Sequence, residues 1–193
     1  MSNIAIFASG SGTNAERIVT YFAGRDDIRI RIILCNAPKA YVLERARKLH
    51  VPSRVFTREE LYHSRTVLDI LKQNQIDWII LAGFLWKIPE DMLEAYPKRI
   101  INIHPALLPA YGGKGMYGHH VHQAVIDHHE PESGITIHYV DDQYDHGSII
   151  FQATCPVMAD DTPEQLAARI HELEYAYFPK VIAQVIDEES AQK

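Results

Sequence analysis

The sequence predicts an α/β fold: a doubly wound, mostly parallel, Rossmann-like sheet with an antiparallel part toward the carboxyl terminus. Over the first hundred residues, short apolar runs alternate with segments of helical periodicity, which is typical of parallel strands joined by right-handed crossovers. Further on, two β-branched runs within residues 134–157 are separated only by residues 141–147, which predicts an antiparallel hairpin. No internal repeat or change in composition divides the chain, so we expect a single domain over residues 1–193.

The composition is that of a globular protein with a full core. Of the 193 residues, 47% are hydrophobic and 23% are charged, and the formal net charge of −6 opposes binding to nucleic acid or to an anionic membrane surface. We find no basic-then-apolar leader and no apolar run of about eighteen residues, so neither a signal peptide nor a membrane span is expected. Cys35 and Cys155 lie in apolar runs without metal or redox spacing, which predicts buried, reduced thiols and a cytoplasmic location.

The amino-terminal segment predicts a strand, a glycine-rich loop, a helix and a second strand. Residues 3–8 form an apolar run that ends in small residues. Apolar side chains then recur at helical spacing from Ala15 to Phe22. Residues 28–35 are again apolar and β-branched, which predicts the second strand.

The next segment continues the alternation of helix and strand. Helices are expected over residues 41–49 and 59–74, and a short one from Pro89 to about Tyr96, since proline suits the first turn of a helix. Strands are expected over residues 53–56 and 77–82. The second of these is continuously apolar, which predicts burial on both faces.

The carboxyl-terminal half begins with a β-branched strand, residues 100–103, and Pro105 forces the chain to turn after His104. A helix over residues 121–129 and strands over residues 134–140 and 148–157 should follow.

A long amphipathic helix is expected over residues 161–187. Either Asp161 or Thr162 would cap it, and Pro163 suits its first turn. Pro179 should kink or interrupt this helix, and the last six residues should fray.

Two polar side chains mark the end of the central strand. Asn102 and His104 are two residues apart, so a strand directs both to one face, beside the loop at its carboxyl end. Open α/β sheets bind their ligands at such ends. The pair alone is equally consistent with a polar patch in which His104 bonds a nearby carbonyl.

A glycine-rich loop, SGSGTN at residues 9–14, joins the first strand to the first helix. Its backbone amides and the helix amino terminus suit a phosphate monoester, with the candidate ligands Gly10, Ser11, Gly12, Thr13 and Asn14. A tight turn capped by Ser and Thr is the alternative. A dinucleotide is disfavoured, because Ala15 replaces the third glycine and no acidic residue follows the second strand.

The string NIHPALLP at residues 102–109 resembles the signature of the folate-dependent formyltransferases. With the SGSGTN loop, the resemblance narrows to the phosphoribosylglycinamide formyltransferases and covers nearly the whole chain. It implies transfer of the formyl group of 10-formyltetrahydrofolate to the amine of glycinamide ribonucleotide, in de novo purine biosynthesis. These two small molecules would be the partners, no metal would be needed, and a homodimer is left open.

The resemblance also implies roles for individual residues. Asn102 and a protonated His104 would stabilise an oxyanion, and Asp145, at the end of the folate-binding loop, would support the protonation of His104. Glu174 would contact the nucleotide. The folate-binding residues implied are Phe84, Leu85, Trp86, Lys87, Ile88, Val140, Asp141 and Asp142, with either Arg58 or Arg65 near the glutamate tail.

Several of these residues admit a simpler interpretation. Asp145 lies in an Asp-His-Gly sequence between two strands, which is ordinary hairpin-turn chemistry. Residues 111–120 are longer and richer in glycine than the commonest form of the family, and they suggest a mobile lid. A histidine group is predicted to be a partly exposed helix face, because no cysteine or carboxylate pattern completes a metal site; it comprises His119, His120, His122, His128 and His129.

Three other functions fit the sequence less well. A methionyl-tRNA formyltransferase would require a tRNA-binding extension and a basic surface, and the sequence shows neither feature. A formyltetrahydrofolate hydrolase would require an additional amino-terminal regulatory domain, which is not expected here. A catalytically silent nucleotide- or folate-binding module belongs to a different class of protein. The joint presence of Asn102, His104 and Asp145 argues against it.

Overall fold

The structure is a computed structural model that describes residues 1–191. The chain divides into two compact units, Met1–Ile101 and the part that begins at Asn102. A single domain over residues 1–193 therefore stays a prediction.

The first unit alternates strands and helices in the predicted way. Its elements are β1 (Ser2–Ala8), α1 (Thr13–Phe22), β2 (Ile28–Cys35), α2 (Val42–Lys48), β3 (Ser53–Val55), α3 (Arg58–Tyr62), α4 (Thr66–Gln73), β4 (Trp78–Leu81) and α5 (Glu90–Ala95), followed by β5 (Ile100–His104). The later elements are α6 (His119–Asp127), β6 (Glu132–Tyr139), β7 (Ile149–Pro156) and α7 (Pro163–Ser190).

The strands form a seven-stranded sheet in the order β3-β2-β1-β4-β5-β6-β7. β1 is parallel to β2 and to β4, and β2 is parallel to β3, whereas β6 and β7 are antiparallel. The predicted fold class, a mostly parallel α/β sheet with an antiparallel part, is confirmed. The strand order reverses at β1, so the carboxyl ends of β1 and β4 form a switch point of the kind at which such sheets bind ligands.

The core of the first unit lies on β1, whose residues from Ile4 to Ala8 are fully buried. Burial on both faces explains why β1 reads as a continuous apolar run rather than an alternating one. In the second unit, Ile135 and Ile137 of β6 and Ile170 and Phe178 of α7 are likewise fully buried. Cys35 and Cys155 are buried free thiols, as expected.

The predicted helix over residues 59–74 is two helices. The hydroxyl of Thr57 accepts a hydrogen bond from the Glu60 amide and completes a capping box for α3. The amide of Thr66, the first residue of α4, donates to the hydroxyl of Ser64. Such local bonds compete with the helical pattern and separate the two helices.

The other differences concern helix ends. α6 begins at His119, two residues before the predicted start at Val121. α7 is continuous through Pro179, so an interruption there is wrong, while a kink stays a prediction; Phe178, Pro179 and Ile182 are buried, and their packing offsets the lost backbone hydrogen bond. α7 reaches Ser190 rather than fraying there, and Gln192 and Lys193 lie outside the described residues.

Within residues 1–191, no helix combines the length and the apolar character needed to cross a bilayer.

Candidate active site

The second unit brings together four polar side chains from two strands and one loop. β5 supplies Asn102 and His104, β6 supplies His138, and the loop that follows β6 supplies Asp145. Pro105 follows the strand directly and His104 is its last residue, as the sequence predicts.

Local backbone geometry explains why Asp145 returns toward the strands. Asp145 has a φ of 54°, a left-handed conformation that aspartate tolerates better than most residues. Gly147 lies so close to β6 that a Cβ there would come within 1.8 Å of the Tyr139 carbonyl oxygen. Only glycine allows the loop to approach the strand this closely.

Asn102 connects His138 to Asp145. Its Nδ2 lies 3.1 Å from His138 Nε2 and 3.4 Å from Asp145 Oδ1. An amide nitrogen carries two hydrogens, and Nε2 of a neutral His138 accepts one of them. His138 Nδ1 lies 2.8 Å from the Tyr139 carbonyl oxygen, which can only accept, so Nδ1 carries a hydrogen. When Nε2 also carries one, it faces Asp145 Oδ1, 3.8 Å away, and favours the carboxylate.

His104 is held on both sides of its ring. Nε2 lies 2.7 Å from the carbonyl oxygen of Tyr111, which can only accept, so Nε2 carries a hydrogen. Nδ1 lies 3.5 Å from Asp145 Oδ2. A neutral ring would turn a lone pair toward this carboxylate, whereas a cationic ring turns an N–H toward it, so Asp145 favours the cation.

Burial and charge act in opposite directions on the two ionisable groups. Burial lowers the pKa of His104 below its ordinary 6.5, while the charge of Asp145 and the Tyr111 carbonyl oppose that change. Asp145 thus raises the pKa of His104, as predicted, but burial outweighs this effect and the pKa of His104 is lowered overall. For Asp145, burial raises the carboxyl pKa, yet the His138 and His104 rings and the Gly113 amide outweigh burial and hold the pKa below 3.8. Asp145 is therefore an anion at neutral pH.

His138 is the member of this group that sequence reasoning missed. It is 1% exposed and lies on β6 directly after Ile137, where no apolar pattern singles it out. A usable signal was present: a histidine buried in a strand needs polar partners, and the loop after β6 carries three carboxylates, of which Asp145 lies 3.8 Å from His138 Nε2.

The loop over residues 111–120 is anchored at its start. Tyr111 has a φ of 57°, and its hydroxyl donates to Glu130 Oε1 at 2.7 Å and lies 3.1 Å from His128 Nδ1. The Gly113 amide donates to Asp145 Oδ2 at 3.1 Å. Further along, Lys114 is exposed. Lid behaviour stays a prediction.

Glu174 is buried on α7 and contacts a histidine. Its Oε2 lies 2.9 Å from His171 Nδ1, and this hydrogen bond raises the pKa of His171. His122, on α6, is 3% exposed, so the predicted exposed helix face is wrong for this residue, whereas the other four histidines of the group are exposed. Burial, followed by the charge of His171, lowers the pKa of His122 to about 4.

Among the described residues, no group of three or more histidine, cysteine, aspartate or glutamate side chains could hold a metal ion.

The first unit contains the predicted phosphate loop between β1 and α1. The carbonyl of Gly10 accepts from the Val42 amide, that of Ser11 from Arg45 Nε, and that of Gly12 from the Glu16 amide. In a trans peptide the carbonyl and the following N–H point in opposite directions. The amides of residues 11–13 are therefore directed away from α1 and α2, which is the orientation that an anion requires.

The two glycines of this loop have different surroundings. Gly10 is exposed, and a Cβ built on it meets nothing within 4 Å. Gly12 has a φ of 76°, and a Cβ there would lie 2.4 Å from Val42 Cγ2. The turn therefore requires glycine at position 12 but not at position 10.

The predicted folate segment follows β4. Phe84 is buried against Phe7, with ring centroids 5.3 Å apart, and the amide of Leu85 donates to the Ser9 hydroxyl at 3.0 Å. Trp86 is half-buried, and the Arg58 guanidinium lies over its ring, 4.8 Å from the centroid. Lys87 is exposed and Ile88 is buried.

Of the two candidate arginines, Arg58 lies on an aromatic face of the predicted folate segment. Arg65 is exposed and precedes α4. In the second unit, Val140 is half-buried, Asp142 is exposed, and Asp141 accepts from the Gln143 amide at 2.9 Å. Sequence spacing left the two arginines equivalent, and the contact with Trp86 favours Arg58 as the candidate.

Comparison with known proteins gives concordant matches. The Formyl transferase family model matches residues 2–182. A phosphoribosylglycinamide formyltransferase of Bacillus subtilis is 37% identical over 191 residues, which cover 96% of this chain and 95% of that protein. The chloroplastic phosphoribosylglycinamide formyltransferase of Arabidopsis thaliana is 38% identical over 96% of this chain. That protein is longer, and the match covers 65% of it.

Solved structures agree with the sequence relatives. The crystal structure of glycinamide ribonucleotide transformylase 1 from Geobacillus kaustophilus has a TM-score of 0.85 and 39% identity, and the match covers 96% of this chain and 98% of that one. The phosphoribosylglycinamide formyltransferase structure from Streptococcus pneumoniae TIGR4 has a TM-score of 0.85 and 36% identity, over 96% and 99% of the two chains.

Proposed function

The chain belongs to the formyl transferase family, with the phosphoribosylglycinamide formyltransferases as relatives, and on that premise we propose that it transfers the formyl group of 10-formyltetrahydrofolate to the amine of glycinamide ribonucleotide. The observation that carries the proposal is the joint presence of an amide donor, an imidazole and a carboxylate at the end of β5: Asn102, His104 and Asp145.

The amine of the nucleotide is itself the nucleophile. It attacks the formyl carbon, a C–N bond forms, and the formyl oxygen becomes the oxyanion of a tetrahedral intermediate. Preorganised donors stabilise such an oxyanion. His104, as the cation, donates from Nε2 once the Tyr111 carbonyl, 2.7 Å from this nitrogen, gives up its place to the oxyanion, and Asn102 donates from Nδ2. Of the two contacts of Nδ2, the longer one, to Asp145 at 3.4 Å, is the one that the oxyanion replaces.

Collapse of the intermediate breaks the bond between the formyl carbon and N10 of the folate. The amine must lose a proton and N10 must gain one. Asp145, an anion at neutral pH, accepts the amine proton through water. N10 takes a proton from solvent or from the His104 cation, and tetrahydrofolate leaves.

The proposed function requires that His104 be a cation when the oxyanion forms. Burial opposes this charge, and the Asp145 carboxylate 3.5 Å from Nδ1 supports it. An oxyanion formed beside the ring adds a second negative charge, which favours the imidazolium further. The cation is therefore most stable when the intermediate is present.

Binding roles follow from the same premise. In the first unit, residues 10–14 take the phosphate of the nucleotide, residues 84–88 contact the folate and Arg58 lies near its glutamate tail. In the second unit, Glu174 is the residue proposed to contact the nucleotide, and residues 140–142 are those proposed to contact the folate. A homodimer and a cytoplasmic location stay predictions.

Turnover with both substrates tests the proposal directly. We expect tetrahydrofolate release that depends on glycinamide ribonucleotide and is lost in His104→Ala prepared in the same way. A protein that binds both substrates by calorimetry but releases no tetrahydrofolate would instead be a silent binding module.

A further inference from the structure

The predicted phosphate loop has a carboxylate beside it. Glu16 lies in the first turn of α1, and its amide donates to the Gly12 carbonyl at 2.9 Å. A carboxylate stabilises a helix amino terminus, but a phosphate bound there would meet its negative charge. The loop can serve an anionic substrate only if this charge is neutralised.

Arg45 of α2 forms an ion pair with Glu16 Oε2 through its guanidinium. The same guanidinium donates from Nε to the Ser11 carbonyl at 2.9 Å. One side chain thus contacts both the loop and the carboxylate beside it.

Arg45 is preorganised for both contacts. Its side chain is 21% exposed, and its guanidinium lies over the ring of Tyr41, 5.0 Å from the centroid. The ammonium of Lys48 lies over that ring too, at 5.6 Å. The Arg45 side chain is therefore already ordered before a ligand binds, and binding costs little further side-chain entropy.

We propose that Arg45 is a positioning residue for the phosphate of the substrate: it neutralises Glu16 and fixes the Ser11 carbonyl so that the loop amides face the phosphate. This inference rests on the proposed function, because it assumes that residues 10–14 bind the phosphate. Arg45 itself is assigned no contact with the substrate.

The size of the effect follows from distance and screening. The Arg45 guanidinium contacts both the Ser11 carbonyl and the Glu16 carboxylate. The carboxylate therefore lies within about one Debye length of the loop, about 8 Å in physiological salt. Repulsion between a carboxylate and a dianionic phosphate at that separation weakens binding by about tenfold at a surface-like dielectric.

The experiment measures the affinity for glycinamide ribonucleotide by calorimetry at low salt. Arg45→Met should weaken binding by about tenfold, and Glu16→Gln should strengthen it several-fold, because the guanidinium is then unopposed. Arg47→Met is the matched control: it removes an arginine paired with Glu44 on the same helix, and we expect wild-type affinity.

The double variant Arg45→Met/Glu16→Gln separates charge from packing. We expect it to recover at least half of the lost affinity on a logarithmic scale, and the Arg45→Met deficit to shrink as salt is raised. The effects should be absent for the ribonucleoside without its phosphate. No recovery in the double variant, or an equal loss for the ribonucleoside, would overturn the proposal and leave Arg45 with a packing role only.

Failure of the underlying function gives a different result. If Gly10→Val binds glycinamide ribonucleotide as the wild type does, the loop is not the phosphate site and the assignment of residues 10–14 fails first. If Gly10→Val loses affinity while Glu16→Gln and Arg45→Met do not change it, only the role of Arg45 is wrong.

Discussion

Individual atoms of Asn102 and His104 are predicted to stabilise the oxyanion. Asn102→Ala and His104→Ala should each lower kcat by about a hundredfold or more, the scale for loss of one oxyanion donor, with smaller effects on KM. Steady-state kinetics of both variants measures this. Near-wild-type kcat in either variant would contradict the donor role of the residue replaced.

Asp145 acts on His104 through charge. Asp145→Asn keeps size and removes the charge that opposes burial, so the pKa of His104 should fall further. His104 then loses its proton at lower pH, and the alkaline limb of the rate profile moves to lower pH. An NMR titration of the imidazole measures the same change directly.

Asp142→Asn is the control for Asp145, because it removes an exposed charge from the same loop. We expect its His104 titration to match that of the wild type. If Asp145→Asn also leaves the titration unchanged, Asp145 is only a turn residue.

The residues of the site differ in how far the sequence could predict them. The period of two places Asn102 and His104 on one face of β5 without further information. Asp145 needed the family resemblance, because its approach to His104 depends on a left-handed backbone and on the close packing of Gly147. His138 was missed because a lone histidine in an apolar strand carries no spacing signal.

At the scale of elements, the turn between β1 and α1 distinguishes its two glycines. Because Gly12 lies in a loop, its replacement by valine would be expected to leave the core intact. The structure contradicts this expectation, since a Cβ at position 12 would clash with the side chain of Val42. We expect Gly12→Val to lower Tm by several degrees, since a strained φ and overpacking together cost about 2 kcal/mol or more.

Gly10→Val is the informative variant of the same turn. It should keep the wild-type Tm and lower the affinity for glycinamide ribonucleotide. A thermal melt and calorimetry on both variants separate stability from binding. Equal melting temperatures for the two variants would show that Val42 yields to the new side chain.

The loop after β5 is predicted to be a lid that its first residue anchors. Tyr111→Phe removes the hydroxyl bonded to Glu130, so trypsin should cleave after Lys114 faster than in the wild type. Bound substrates should slow cleavage in both proteins. Cleavage rates that are unaffected by the variant and by substrates would exclude a gating role for this loop.

The bounds of an element were predicted closely where one sequence pattern dominates, and less well where local hydrogen bonds compete with that pattern. β2 is found at Ile28–Cys35, the predicted range, because its apolar run has no rival interpretation. Residues 59–74 carry helical periodicity throughout, yet the hydroxyl bonds near Ser64 divide them. Hydrophobic periodicity identifies the buried face of a helix but carries no information about such local hydrogen bonds.

At the scale of the whole molecule, buried His122 makes folding stability depend on pH. Its pKa is about 4 in the folded protein, so between about pH 6.5 and pH 4 the unfolded chain binds a proton that the folded protein excludes. Stability should therefore fall as the pH falls through this window and level off below it. From pH 7 to pH 5 the contribution is about 2 kcal/mol.

Urea unfolding at the two pH values tests this dependence. His122→Gln should lose less stability than the wild type on acidification, whereas His120→Gln, an exposed neighbour on α6, should behave like the wild type. Identical pH dependence in all three proteins would mean that His122 accepts its proton in the folded state.

The sheet as a whole shows where sequence reasoning ends. Alternating strands and helices predict parallel pairing, and the short connection between β6 and β7 predicts their hairpin. The position of β1 between β2 and β4 does not follow from these patterns, because right-handed crossovers allow more than one strand order.

The hydrogen bond between His104 and Tyr111 has a pharmacological consequence. A backbone carbonyl already occupies the position opposite Nε2, 2.7 Å away, that an inhibitor oxygen aimed at this nitrogen would take. Such a compound competes with the protein's own main chain rather than with water, and its apparent affinity is reduced by the fraction of molecules in which the carbonyl remains in place. We therefore expect Tyr111→Phe, by loosening that main chain, to sensitise the protein to the compound.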